Sequence, residues 1–132
     1  MIQRVALVLL LVTFFGTSSA LGDERAKACT PTYLEVEEVP KLQVASWILE
    51  FRVLAIGCRE LLEPEWPPKI EDIERELSNA LGDIHPVQTL VDINEGSAEV
   101  RKKVVQALNH AISKEDVVTD VFLYDPKASE HW

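Results

Sequence analysis

From Val44 to Gly57 the chain alternates, with Ala45, Trp47, Leu49, Phe51, Val53 and Ala55 on one face and Ser46, Ile48, Glu50, Arg52 and Leu54 on the other. A two-residue period of this length predicts a strand with one buried and one partly solvated face, as in antiparallel sheets. Tyr33–Val39 alternates more weakly before Pro40 and reads as a second strand. The period then changes to that of a helix. Ile70, Ile73, Leu77, Ala80 and Leu81 form an apolar stripe that begins near Pro67 or Pro68, carries Glu71 and Asp72 at its positive end, and stops at Gly82. A second stripe, Val100, Val104, Ala107, Leu108, Ala111 and Ile112, follows Gly96 with Ser97 as N-cap, and Glu99 and Lys103 are spaced for an i,i+4 ion pair. Asp83–Glu95 stays open, because Val87–Val91 fits a short strand or a helical turn equally well. Val117–Tyr124 is apolar on both faces apart from Thr119 and Asp120, which predicts a strand inside the sheet that ends at Asp125-Pro126, with a frayed tail over 127–132. The order predicts an α+β fold: a small antiparallel or mixed sheet of about three strands with two main helices packed on one face.

The amino terminus reads differently. Arg4 is followed by the apolar run Val5–Phe15 and then by Gly16, Ser18 and Ala20, the layout of a secretory signal cleaved after Ala20. The uncharged stretch 5–22 is also long enough for an uncleaved membrane anchor, so the alternative to a periplasmic or secreted protein is one held in the inner membrane and facing the periplasm. A single domain over residues 23–126 follows in either case. The whole chain of 132 residues has 22 acidic and 13 basic side chains, a formal charge of −9, and removal of Arg4 with the signal makes it −10. With no run of Lys or Arg that offers a local counter-field, this charge argues against nucleic-acid partners.

Export gives the two cysteines a use, since Cys29 and Cys58 would meet in an oxidising compartment. If they face each other in a hairpin, Leu34 lies against Val53, Val36 against Phe51, Tyr33 against Leu54, Glu35 against Arg52 and Glu37 against Glu50. The apolar faces then coincide, which favours a bridge over two unrelated buried thiols.

Candidate chemistry is sparse. His85, His110 and His131 have no metal-ligand spacing, and His110 beside Asn109 reads as part of a solvated helix face. No nucleophile-elbow sequence and no glycine-rich phosphate loop occurs, and the carboxylates cluster as solvated faces do. The expectation is a protein without catalytic residues, metal or cofactor. Trp66, between Glu65 and two prolines, is either an exposed interaction anchor or a cover for the sheet end.

Gly96, Val100, Arg101, Leu108, Asn109, Ile112, Val118, Val121 and Phe122 together resemble the C-terminal part of the FliL family of flagellar basal-body-associated proteins. Pro68–Ile73 with Leu77-Ser78 resembles that family's first helix, at a one-residue difference in spacing, and the similarity spans roughly residues 33–124. The resemblance implies a stomatin-like periplasmic domain without catalytic residues that associates with itself and with the stator of the flagellar motor. This chain departs from the family in its cleavable-looking leader and in Tyr124-Asp125-Pro126, where the last strand usually ends apolar. The alternative is an unrelated small secreted binding or inhibitor domain stapled by one disulfide. That domain would present loops such as Leu61–Pro68 or Asp83–Asn94 to its partner. Under either reading the contact surface is the solvated sheet face carrying Glu50 and Arg52 or the polar side of the second helix with Arg101, Lys102 and His110.

Overall fold

A computed structural model of the protein describes residues 29–130; the signal-like segment, His131 and Trp132 lie outside them. The fold is α+β. Strand β1 (Pro31–Glu35), β2 (Lys41–Val44), β3 (Trp47–Cys58) and β4 (Val118–Glu130) form one antiparallel sheet, and helices α1 (Arg59–Leu62), α2 (Ile70–Leu81), α3 (Pro86–Asn94) and α4 (Ala98–Ile112) fill the sequence between β3 and β4.

The strongly alternating segment is the spine. β3 pairs along its length with β4, so β1 and β2 share its other edge, β1 against Leu54–Cys58 and β2 against Trp47–Glu50. This corrects the sequence reading twice. Val117–Tyr124 is an edge strand rather than the centre of the sheet, and the segment read as one strand from Val44 contains a two-residue turn at Ala45-Ser46 that creates β2. Ala45 adopts φ +56° there, a conformation usually signalled by Gly or Asn, so the turn carries no sequence cue.

The β1–β3 register is offset by two residues from the one expected: Pro31 lies opposite Cys58, Tyr33 opposite Ile56, Leu34 opposite Ala55 and Glu35 opposite Leu54. An even offset keeps every side chain on its predicted face. The disulfide Cys29–Cys58 forms all the same, diagonally from just before the strand, with Cα atoms 4.8 Å apart. Glu37 and Glu50 do not oppose each other, since Glu50 pairs with Lys41 and Lys127.

β4 continues through Asp125-Pro126 instead of ending there, and Lys127–Glu130 is strand rather than frayed tail. The register advances by one extra residue between Tyr124 and Lys127, with Asp125 at φ +53°, so the proline sits in a bulge where its missing N–H costs no ladder bond. A second irregularity lies at Ile56-Gly57. A side chain at Gly57 would meet the Val117 carbonyl at 2.4 Å, so glycine is what lets β4 enter the sheet so closely.

Ile73, Leu77 and Leu81 of α2 and Val100, Val104, Ala107 and Leu108 of α4 are buried against Leu49, Phe51, Val53 and Ala55 of β3, closing one face of the sheet. α2 starts at Ile70 rather than at the prolines, with Lys69 extended before it. The ambiguous segment is helical: Pro86 opens α3, and the His85 Nδ1 accepts the Val87 N–H at 3.1 Å as its cap. α3 ends on Gly96 at φ +72°, where the Gly96 N–H reaches the Ile93 carbonyl at 3.1 Å and the Ser97 N–H reaches Asp92 at 2.9 Å. Ser97 then caps α4 through its hydroxyl, 3.3 Å from the Val100 N–H, so one dipeptide stops one helix and starts the next. Glu99 and Lys103 form no ion pair in the described residues. Among those residues no helix is long and apolar enough to cross a membrane.

Candidate protein-binding surface

Both edges of the sheet are blunted. On the β1 edge Pro31 lacks an N–H, the Trp66 indole donates to the Glu35 carbonyl at 3.1 Å, and the Lys41 N–H donates to Glu74 at 2.9 Å. On the β4 edge the Asp120 carboxylate accepts the Val121 N–H at 2.8 Å and Pro126 has no donor. Strand addition by another chain is therefore obstructed at several points. One large surface remains: the sheet face turned away from the helices.

The register lays that face out. Tyr33 stands opposite Ile56, Glu35 and Phe122 flank Leu54, and Tyr124 stands opposite Arg52. Tyr33 is 62% exposed and Phe122 56%, with Leu54, Ile56 and Tyr124 half-buried between and beside them. The Phe122 and Tyr124 rings stack with centroids 5.5 Å apart at 24°. A polar clasp holds the middle: Arg52 Nη1 lies 3.2 Å from Glu35 Oε2, and the Tyr124 hydroxyl donates to the same carboxylate. The bond to Glu35 raises the Tyr124 pKa above its ordinary value, because ionisation would lose it and leave two negative charges together.

The charges on this face balance locally. Glu35 faces Arg52, Glu50 lies between Lys41 and Lys127, and Asp120 sits 3.5 Å from Arg101. The result is a near-neutral aromatic and aliphatic surface on a chain of charge −9. Fixed rings with few rotatable bonds bury large area at low entropic cost, which suits such a surface to protein contact.

Other residues singled out in the sequence take different places. Trp66 packs back against the core while its indole ties down β1, as the covering alternative described. Asn109 is a correction: at 8% exposure it is buried, not on a solvated helix face, and it clasps the turn into β4. Its Oδ1 accepts the Val117 N–H at 3.1 Å and the Val118 N–H at 2.8 Å, and its Nδ2 donates to the Val118 carbonyl at 3.0 Å. Val100, Leu108 and Val121 are core residues. Arg101 is engaged within the fold, donating to the Gly96 carbonyl at 2.8 Å besides its ion pair with Asp120. Lys102 is exposed on α4 and has no ion-pair partner among the described residues. His110 lies 3.6 Å from Glu76 and His85 caps α3, so the two serve different elements. No group of three or more His, Cys, Asp or Glu among the described residues is placed to hold a metal ion.

The place of Tyr33 and Tyr124 on the open face is not among the candidate sites that the sequence offers. Its signal was present in Val121, Phe122, Leu123, Tyr124, where buried and exposed positions alternate once β4 is taken as half-solvated. No protein-family model and no curated protein matches the chain.

Proposed function

We propose that this protein is an exported, non-enzymatic binding module that holds a protein partner against the open face of its sheet. The observation that carries this reading is the row Tyr33, Ile56, Leu54, Phe122 and Tyr124, left uncovered while Leu49, Phe51, Val53 and Ala55 on the opposite face are buried under the helices. Exposed aromatics in such a row are what a desolvated interface centre uses, and the local charge balance removes the cost of burying an unpaired ion there. The intramolecular disulfide supports a periplasmic or extracellular setting, where such bonds persist.

The resemblance to FliL gives the same reading a more particular partner, the stator of the flagellar motor. What supports it is the set of motif positions, of which Gly96 and Asn109 are the distinctive ones. Both have local roles that many α+β domains would need, a left-handed helix end and a turn clasp, so the broader reading does not depend on it. Loss of swimming on deletion, with normal growth, is the expected signature of the flagellar form, and full motility would remove it.

The broader reading is tested by replacing Tyr33 and Phe122 with Lys. Both side chains are exposed, so the far-UV spectrum and a cooperative melt should stay as in the parent, while co-elution with the partner in host envelope extracts is lost. Unchanged co-elution of the folded double variant would sink the proposal.

A further inference from the structure

A second surface lies on the other side of β1. Between the end of that strand and the loop before α2 is a groove of about 750 Å³, within the size range of ligand and peptide sites. Leu34, Val36, Ile70 and Ile73 give it an apolar base, and Pro67 and Pro68 also line it. Its walls are fixed before anything binds. Proline sets the backbone on one side, the Trp66 indole is fastened to the Glu35 carbonyl at 3.1 Å, and the Val36 N–H is bonded to Val53 at 3.0 Å. A preformed groove of this kind loses little entropy on occupation.

Charge identifies what fits it. Glu37 and Glu38 also line it and make an acidic lip; both are exposed, and neither makes an ion pair among the described residues. The open sheet face is neutralised locally, whereas the two adjacent carboxylates of this lip have no cation within ion-pair distance among the described residues, Lys69 between the lining Pro68 and Ile70 included. An apolar base under an acidic lip is complementary to an extended chain whose apolar residues enter the groove and whose cations meet the lip. We propose that the groove binds an extended apolar segment of a partner protein with Lys or Arg next to its apolar residues. This site does not rest on the sheet-face reading, because its base belongs to the core side of the sheet and Phe122 plays no part in it.

The test is a nuclear magnetic resonance titration of the protein purified from its exporting host, using two hexapeptide pools. Both pools carry Leu, Ile or Val at alternate positions; the first has Lys or Arg at the others, the second Glu. The basic pool should shift the Trp66 indole N–H and the amides of Val36–Glu38, with an affinity about tenfold or more above that of the acidic pool. A Glu37→Gln, Glu38→Gln double variant with an otherwise unchanged spectrum should bind the basic pool several-fold more weakly, about as the parent does at high salt. Equal response to both pools, shifts centred on Tyr33 and Phe122 instead, or no response up to about 1 mM peptide would overturn the proposal. Shifts of the same signals with protein concentration alone, and none with peptide, would overturn it in favour of a second copy of the chain.

Discussion

Asn109 offers the sharpest stability prediction. Its side chain satisfies three backbone groups at the α4–β4 turn, the N–H of Val117 and both polar groups of Val118, and these two residues are themselves buried. Asn109→Leu keeps the bulk and removes every partner. An unsatisfied buried polar group costs about 1–3 kcal/mol, and with some relief from backbone relaxation the three together should cost roughly 3–5 kcal/mol. Small domains have only about 5–15 kcal/mol in total, so this is a large share. In urea, with a slope of about 1.5 kcal/mol per molar, the midpoint should fall by roughly 2–3 M at unchanged slope, read by circular dichroism with the disulfide intact. Ser97→Ala provides the scale: it removes one 3.3 Å cap bond and should cost about 1 kcal/mol. If Asn109→Leu proves no more costly than Ser97→Ala, the clasp is not what holds β4 in place and the reasoning is refuted.

Three further outcomes follow from the same structure. Thr89 is fully buried on α3 with no partner for its hydroxyl among the described residues, so Thr89→Val should raise stability by about 1 kcal/mol in thermal melts, and a loss would show a hidden bond. Reduction of Cys29–Cys58, which are 29 residues apart, should cost roughly 3 kcal/mol in urea unfolding, and an unchanged midpoint in reductant would contradict the staple. Glu60 accepts the Thr30 N–H at 2.9 Å and the Thr30 hydroxyl at 2.8 Å, and the backbone bond first of all holds its pKa below the ordinary 4.5. Because the folded-state pKa is the lower one, its contribution is present above pH 4.5 and lost as pH falls through the depressed value, so Glu60→Gln should flatten the acid limb of the stability profile, and an unaltered limb would count against it.

The class of fold was legible because β3, α2 and α4 carry long, clean periods whose buried faces are those expected. What misled was local geometry without a local signal. The turn at Ala45-Ser46 uses a positive φ on alanine, and the bulge at Asp125-Pro126 lets a strand pass through a proline that ordinarily ends one. The position of β4 was missed for a related reason. Phe122 and Leu54 are apolar yet lie on the open face, so apolar content on both sides of the segment reads as central burial although half of it faces away from the core. Asn109 shows the converse: a polar residue on an amphipathic helix reads as solvated unless its partners, eight and nine residues ahead, are known.

The proposed partner contact is the open sheet face; the polar side of α4 is the alternative that the sequence offers, and a photo-reactive benzoyl-phenylalanine separates them. It is placed at Phe122 on the sheet and, in a parallel strain, at Lys102 on the helix, with irradiation of living host cells. Binding through the sheet face predicts one discrete crosslinked species from position 122 and none from position 102. A crosslink from position 102 alone, or none from position 122 in cells where the folded protein accumulates, would contradict it.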